Sequence, residues 1–400
     1  MNDTKQFLLS VIASFMHTPY ERTYPGPMLC ADWAVLNGNN GESLLRPSVW
    51  DEARRYLDGL QAMGTRAVGL QMQYPLFDDA FPRNEAYKQL YQQAVEEARA
   101  RGLYVYAETS PAFTGTPYSQ IEWDYAGMTP EEYLLRRGMM AADIVAITHP
   151  HALSVVHEIE TERLLTGYDH LVPADFTSVI DRARKAGDGL AEPTLIGGGA
   201  PITSSFEDIQ VFDRLGDFVN IHLYPLAVME RLQVVNMLCK LVDVAHRLSK
   251  PVVVGETWPF KAHPLEMRGG NIIAQSLAFY ARDPYALWES VDVPFLEAMY
   301  RVGEVAPVVL VNCFWSRYGY AYYHGESQDA DYVNRFVNRK AVRNMERRRM
   351  TDTGLKYQEL AVAERDTHIA VLEHELAAAQ EKIKVLEAAP MREVNGETNE

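Results

Sequence analysis

Cysteine is scarce in this chain of 400 residues, which has only Cys30, Cys239 and Cys313. The three are far apart in the sequence and odd in number, and their spacing is not typical of a metal site. Each lies in an apolar stretch, where a lone cysteine behaves as a small hydrophobic residue. We therefore expect no disulfide framework, which is consistent with a reducing compartment.

The chain is also poor in positive charge and in long hydrophobic runs. Its 54 acidic residues outnumber its 38 lysines and arginines, and the formal net charge is −16. This balance argues against wrapping nucleic acid or docking on anionic lipid, because both need a basic face. No stretch is long and apolar enough for us to predict a membrane span.

The N-terminus contains one apolar segment, residues 7–16. The residues before it carry no net positive charge, and no clear cleavage site follows, so the pattern fits a secretory signal poorly. Its large apolar residues recur at helical spacing. We predict a helix within residues 1–24 that packs on the main domain, with a signal segment as the alternative. A cytoplasmic location is expected, although an extracytoplasmic one is left open.

Between Pro27 and Trp315, short apolar runs alternate with longer amphipathic segments, which is the pattern of βα units around a parallel sheet. Eight strands are predicted, at residues 28–36, 66–74, 103–108, 153–158, 194–196, 218–224, 252–256 and 308–315. Helices are predicted between them, at residues 48–63, 85–101, 130–146, 176–186, 206–215, 226–248 and 293–302. This count predicts an α/β fold, a (β/α)8 TIM barrel over residues 25–326, with a doubly wound open sheet as the alternative.

One predicted strand end carries a run of glycines that could bind a phosphate group. Gly197-Gly198-Gly199 follows the fifth predicted strand, and we interpret it as a tight turn. No dinucleotide-binding fingerprint is found, so no cofactor is expected.

The residues after the barrel are predicted to form a helical extension. A helix and linker are assigned to residues 327–350, a coiled-coil helix to 351–389 and a disordered tail to 390–400. The seven-residue spacing of a coiled-coil seam recurs in Leu355, Val362, Ile369, Leu376 and Ile383. We predict that residues 355–386 pair with copies of this chain or with a partner. A single helix packed back on the barrel is the alternative.

Two carboxylates stand where a barrel carries its chemistry, at the C-terminal ends of strands. Glu158 ends the fourth predicted strand and Glu256 the seventh, and these strands face each other across the barrel mouth. A carboxylate there has no packing role, and burying it unpaired is costly. Two carboxylates flanking a groove are what glycosidic bond cleavage requires. Glu160 is a rival for the role of Glu158, because it lies on the same face of the strand.

Polar and aromatic residues end the other predicted strands. Aromatic faces suit the apolar faces of pyranose rings, and polar groups suit sugar hydroxyls. The predicted substrate-binding residues are Gln73, Glu108, His157, His222, Tyr224, Trp258 and Trp315. A metal site is the alternative for His157, Glu158, His222 and Glu256, although such barrels usually gather more histidine. Our prediction is that no metal is bound.

These strand ends resemble those of the clan A glycoside hydrolases, the superfamily of TIM-barrel retaining glycosidases that includes cellulases, β-xylosidases and endo-galactanases. His157-Glu158-Ile159 is similar to the Asn-Glu-Ile of the endo-galactanase type. Gly255-Glu256-Thr257-Trp258 is similar to the Gly-Glu pattern that ends strand seven in the clan.

The resemblance implies a role for each matching residue. Glu158 matches the acid/base and Glu256 the nucleophile, while Tyr224 matches a tyrosine that contacts the nucleophile. Trp315 matches the tryptophan under the sugar.

Two positions depart from the clan pattern. His157 replaces the asparagine before the acid/base, and the arginine of strand two has no evident match, since Gln71 and Gln73 occupy that strand end. The sequence nevertheless predicts a retaining glycoside hydrolase that cleaves a β-linked polysaccharide or oligosaccharide. This role requires a raised pKa for Glu158 and an ionised Glu256. The alternative is a non-catalytic carbohydrate-binding barrel, or a scaffold in polysaccharide assembly.

Overall fold

The computed structural model describes residues 2–116, 118–265, 285, 288–324 and 330–364. Within these ranges the strands are β1 (Met28–Asp32), β2 (Ala67–Gln71), β3 (Tyr104–Glu108), β4 (Ala152–Ser154), β5 (Leu195–Pro201), β6 (Phe218–Leu223), β7 (Ala227–Glu230), β8 (Gln233–Asn236), β9 (Val252–Thr257) and β10 (Val308–Cys313). Eight of them close a parallel barrel in the order β1-β10-β9-β6-β5-β4-β3-β2. The predicted (β/α)8 TIM barrel is therefore confirmed, and the open sheet is excluded.

Helices separate the barrel strands in the chain. They are α1 (Asn2–His17), α2 (Val49–Ala62), α3 (Asn84–Ala100), α4 (Pro130–Asp143), α5 (Ile159–Thr166), α6 (Thr177–Ala186), α7 (Phe206–Leu215), α8 (Met237–Arg247), α9 (Glu289–Val305) and α10 (Ala330–Glu346). Residues 352–364 are also helical. The rest of the predicted coiled coil and the predicted disordered tail, residues 365–400, lie outside the described residues.

Local sequence signals explain several of these boundaries. Thr129 caps α4 by accepting a hydrogen bond from the backbone N–H of Glu132, and Pro130 occupies the first helical position, where its missing N–H costs nothing. Ser205 caps α7 in the same way. Strands β6 and β9 are buried along their whole length, as expected for strands covered on both faces.

The first helix has its apolar face buried. Leu8, Val11, Ile12 and Phe15 are almost fully buried, and Asn236 donates a side-chain hydrogen bond to the carbonyl oxygen of Val11. Among the described helices, none has the length and apolarity needed to cross a membrane.

The fourth strand is shorter than predicted and ends at Ser154 rather than Glu158. The chain leaves the barrel there because side chains replace strand neighbours as hydrogen-bond partners. Arg137 donates to the carbonyl oxygen of Val155 at 2.7 Å, and the Ser154 hydroxyl donates to that of Val156 at 2.8 Å. Glu158 consequently lies at the cap position before α5.

The prediction of a turn at Gly197-Gly198-Gly199 was wrong, because the three glycines lie inside β5. A Cβ atom on Gly199 would lie 2.1 Å from the carbonyl oxygen of Asn220, and one on Gly197 would lie 2.6 Å from the ring of Phe218. The glycines therefore allow β5 and β6 to approach closely at this part of the barrel.

The helix predicted over residues 226–248 was wrong in its first half. Antiparallel strands β7 and β8 form a hairpin there, and α8 begins at Met237. The hairpin turn places both Arg231 and Leu232 at positive φ, 47° and 70°. Glycine or asparagine normally marks such a turn, so the sequence carries no signal for it.

A fully buried ion pair helps to position the loop that follows β4. Arg137 and Glu162 are both buried, with 3.0 Å between Nη2 and a carboxylate oxygen. Arg137 also donates to the Thr109 hydroxyl at 2.8 Å, and Tyr133 donates to Glu162. This pair joins α4 to α5 and to the loop that follows β4, so it fixes where that loop leaves the barrel.

Replacing Arg137 with methionine should reduce the free energy of unfolding by about 3–5 kcal/mol, because it leaves the carboxylate of Glu162 buried without a counter-charge. Denaturant unfolding followed by circular dichroism measures this loss. The control is Arg22→Met, which breaks an exposed pair with Glu304 and should cost less than about 1 kcal/mol. Equal losses in the two variants would contradict a structural role for the buried pair.

Candidate active site

The C-terminal ends of the barrel strands open into a cleft of about 1370 Å³. Seven of the nine predicted site residues line it, namely Gln73, His157, Glu158, His222, Tyr224, Glu256 and Trp315. The two others, Glu108 and Trp258, are buried beside it. The tertiary structure thus brings together residues from the ends of five strands, and the most distant of them in sequence, Gln73 and Trp315, are 242 positions apart.

Glu256 lies on β9 at the floor of the cleft and accepts two hydrogen bonds. The Tyr224 hydroxyl donates to Oε2 at 2.5 Å, and the Gln71 amide donates to Oε1 at 3.0 Å. Burial is the largest influence on its pKa, and the negative charge of Glu108 acts in the same direction. Together they raise the pKa of Glu256 to about 8, although the charge of His222 opposes them.

Glu158 faces the same space from the cap position of α5. Its Oε1 lies 3.2 Å from Nδ1 of His222, and the Thr161 hydroxyl donates to Oε2. Burial would raise its pKa, but the contact with His222 and the positive charge of that ring hold the pKa of Glu158 at about 2. The pKa order is therefore the reverse of the expected one, with a low pKa for Glu158 and a raised pKa for Glu256.

His222 connects the carboxylates. Its Nδ1 lies 3.2 Å from Glu158 and 3.6 Å from Glu256, and its Nε2 lies 3.1 Å from Glu108. Burial opposes a charge on the ring, but Glu108 and Glu256 overcome it and raise the pKa of His222 well above its usual value. These contacts therefore favour the imidazolium form of the ring. Its edge-on neighbour His157 has its pKa lowered to about 4 by burial and stays neutral.

Glu108 lies beneath the cleft and is fully buried. Its carboxylate accepts hydrogen bonds from Tyr106 at 2.5 Å, from Asn220 at 2.7 Å and from Gln71. Burial would raise its pKa, but the charge of His222 lowers it. A residue predicted to bind substrate is therefore placed below the site, where it holds the imidazolium.

Three residues around the carboxylates were not among the predicted site residues. Gln71 bridges Glu108 and Glu256 at the strand end where the clan resemblance implies an arginine. Asn220 donates to Glu108 and accepts from the backbone N–H of Gly255 at 3.0 Å. The signal for Asn220 was its two-residue spacing from His222, which places both on one face of β6.

Asp32 is the third of these residues and comes from the end of β1. It lines the cleft, and its Oδ1 accepts a hydrogen bond from the backbone N–H of Ser316 at 2.7 Å. Burial raises the pKa of Asp32 to about 7. A carboxylate at a strand end could have indicated a site residue. The first strand was predicted to continue to residue 36, however, so Asp32 was placed inside it.

The two tryptophans differ in position. Trp315 lines the cleft and stacks on Tyr285, with 4.8 Å between ring centroids. Trp258 packs against Tyr318 and Phe295 and contributes no surface to the cleft. Its expected contact with substrate therefore has no support from its position.

Glu160, the rival for the acid role, also lines the cleft. The Ser204 hydroxyl donates to it, and burial raises its pKa. It has no contact with His222 among the described interactions, which separates it from the group of Glu158 and Glu256.

Among the described residues, two sets place three possible ligand atoms near one another. One is His157, Glu158 and His222, and the other is Glu108, His222 and Glu256. Both depend on His222, and a cation there would have to displace the imidazolium proton.

Replacing Tyr224 with phenylalanine should raise the pKa of Glu256 by about one unit, because the hydroxyl stabilises the ionised carboxylate. Carboxyl resonances of protein labelled with ¹³C-glutamate report this titration, and Glu256→Gln identifies the signal. Tyr118→Phe, elsewhere on the cleft, is the control and should leave the titration unchanged. An unchanged or lower pKa in Tyr224→Phe would contradict the assignment.

No protein-family model matches the chain, and no curated protein matches it. Among solved structures, GH5_18 from Streptomyces cattleya in complex with GlcNAc matches with a TM-score of 0.50 and 14% identity, over 86% of this chain and 81% of that one. The AHE enzyme from Alicyclobacillus herbarius matches with a TM-score of 0.50 and 11% identity, over 86% and 99%. At such identities the likeness concerns the fold. The chain therefore shares the (β/α)8 barrel fold with these two structures.

Proposed function

We propose that this protein is a retaining glycoside hydrolase that cleaves a β-linked polysaccharide or oligosaccharide with Glu158 and Glu256. One observation carries the proposal, which is that both carboxylates contact the same Nδ1 of His222, at 3.2 and 3.6 Å. The sum of these distances is the upper limit for the separation of the two oxygens. Such a short approach of the two carboxyl groups is compatible with the separation of about 5–5.5 Å found in retaining enzymes.

The surroundings of Glu256 suit a nucleophile. Tyr224 and Gln71 donate one hydrogen bond to each of its oxygens, so they stabilise its ionised form and fix its orientation. In the first step an oxygen of Glu256 bonds to the anomeric carbon as the bond to the leaving oxygen breaks. Glu158 gives its proton to that oxygen. In the second step water attacks the anomeric carbon, Glu158 takes its proton, and Glu256 is released.

The resting protonation must change before the first step. At neutral pH the proton lies on Glu256, whose pKa is raised to about 8, and not on Glu158. The two carboxyl groups flank Nδ1 of His222, so the proton has only a short way to move from Glu256 to Glu158. The ring stays an imidazolium and the total charge is unchanged. Exclusion of water by a bound sugar favours this transfer, because it removes the solvation of the ionised Glu158.

Glu256→Gln should lower turnover by at least about 10³-fold, because the amide cannot form the glycosyl intermediate. Release of reducing ends from β-glucan, β-mannan, β-galactan and β-xylan measures turnover in the wild type and the variant. Glu160→Gln is the control, since it lines the same cleft but lies outside the His222 group. Retained activity in Glu256→Gln would contradict the proposal. Loss of wild-type activity to a chelator would favour a metal-dependent reaction instead.

The loss of activity in Glu158→Gln should depend strongly on the acidity of the leaving group. A dinitrophenyl glycoside needs no proton on the departing oxygen, so its glycosyl-transfer step should be slowed by less than about tenfold, whereas an alkyl glycoside should lose about 10²–10⁴-fold. Burst and steady-state kinetics on β-glycosides with leaving groups of graded acidity measure the difference. Equal losses across the series would show that Glu158 is not the acid.

A non-catalytic carbohydrate-binding barrel is the second candidate. It is favoured by the low pKa of Glu158, which leaves no proton to donate in the resting state, and by Gln71 at the place of the clan arginine. Such a protein would bind glycans with little change between pH 5 and 7 and release no reducing ends, so the turnover assay above separates the two candidates.

We also propose that copies of the chain pair through residues 355–386, of which 355–364 are described. Leu355 and Val362, the first two residues of the predicted seam, are 54% and 42% exposed. Tyr357 and Ala361 are buried against the barrel domain. Anchoring one face of the helix in this way would leave the seam free to meet a second chain.

A further inference from the structure

Helix α10 forms one wall of the cleft and carries a row of positive charge. Arg335, Arg339 and Arg343 all line the cleft, and their spacing of four places them on one face of the helix. We call these three residues the arginine wall. All three are exposed, in a chain whose formal net charge is −16.

The arginine wall is electrostatically unfavourable by itself. Like charges four positions apart destabilise a helix, so the row has no role in forming α10. Two acidic residues that line the same cleft form ion pairs with other arginines. Glu52 pairs with Arg46 at 3.5 Å, and Glu346 pairs with Arg55 at 3.8 Å. No ion pair found within the described ranges involves an arginine of the wall. An anion in the cleft would therefore meet three guanidinium groups without competition from these acids.

The wall and the carboxylates share one cleft, and Arg317 lies over the ring of Trp315 at 4.6 Å. Arg317 donates to the side chain of Asn338, which stands on α10 between Arg335 and Arg339. A chain molecule that lies over Trp315 with one unit near the carboxylates would therefore extend its other units along the arginines.

We propose that the arginine wall binds anionic groups, carboxylates or sulfates, on a glycan whose reacting bond lies between Glu158 and Glu256. Guanidinium groups pair with both anions through two parallel hydrogen bonds. The inference rests on the proposed function for the location of the reacting bond, and it adds the charge of the substrate. A nucleic acid is less suited, because it needs a broad basic face and the chain as a whole is acidic.

The test compares binding in two triple variants, both made in the Glu256→Gln background so that no probe is cleaved. The first is Arg335→Gln, Arg339→Gln and Arg343→Gln. The matched control is Arg347→Gln, Arg348→Gln and Arg349→Gln, which removes three exposed charges next to the same helix but outside the cleft. The probes are a β-linked mannuronate hexamer, its carboxyl-reduced neutral form, the sulfated form of that neutral hexamer, and single-stranded oligothymidylate.

Calorimetry in 50 mM and 500 mM salt should show that an anionic hexamer binds more tightly than the neutral one. The wall variant should weaken this binding about tenfold and the control less than about twofold, and high salt should remove the difference. The mannuronate and sulfated probes distinguish carboxylate from sulfate as the preferred group. Equal affinity for charged and neutral hexamers, equal losses in both variants, or tighter binding of oligothymidylate would overturn the proposal.

The outcome is separate from that of the proposed function. The wild type could bind anionic probes through the wall and yet release no reducing ends. That result would support this inference and contradict only the proposed hydrolase activity. Conversely, the wild type could release reducing ends, lose this activity in Glu256→Gln and show no preference for anionic probes. That result would support the hydrolase and contradict the anion-binding role of the wall.

Discussion

A buried histidine ring that contacts three carboxyl groups organises this protein. His222 lies within 3.6 Å of Glu108, Glu158 and Glu256 on the barrel floor, where none of these charges is well solvated. A carboxylate buried alone would be neutralised or expelled, so the three are held together by the positive ring. Glu108 satisfies Nε2 from below, which leaves Nδ1 to face the two carboxylates of the cleft.

The neighbouring structure is arranged around this group. Asn220 accepts from the backbone N–H of Gly255 and donates to Glu108, and a Cβ on Gly255 would lie 2.1 Å from the carboxylate of Glu108. Side-chain hydrogen bonds end β4 early and place Glu158 on a helix cap instead of a strand. Glu158 therefore owes its position to the buried pair of Arg137 and Glu162 as well as to the barrel.

The cleft is electrostatically divided. Its floor concentrates carboxylates that share a small number of protons, whereas one of its walls carries exposed arginines. The floor suits proton transfer at a reacting bond, since its groups have pKa values shifted in opposite directions. The wall suits recognition of charge at a distance from that bond. A glycan with anionic units would use both regions at once.

The sequence by itself determined the barrel and most of the residues at its mouth. Apolar runs at regular intervals require parallel strands covered by helices, and an ionisable residue at the end of such a run has no packing reason to be there. This is why Glu256, His222 and Tyr224 were found from the sequence. Exact strand ends depend on side chains from distant segments, as with Arg137 at β4, so Glu158 was found but placed on the wrong element.

Only the tertiary structure decided how these residues act. The pKa of a carboxyl group depends on charges that are neighbours in space, so no local pattern shows that Glu158 is held near 2 and Glu256 near 8. The position of Glu108 was also not visible in the sequence. It ends its strand as Glu256 does, but it is buried beneath the cleft. Gln71 and the arginines of α10 line the cleft because barrel closure brings chain segments that are far apart in sequence to one opening.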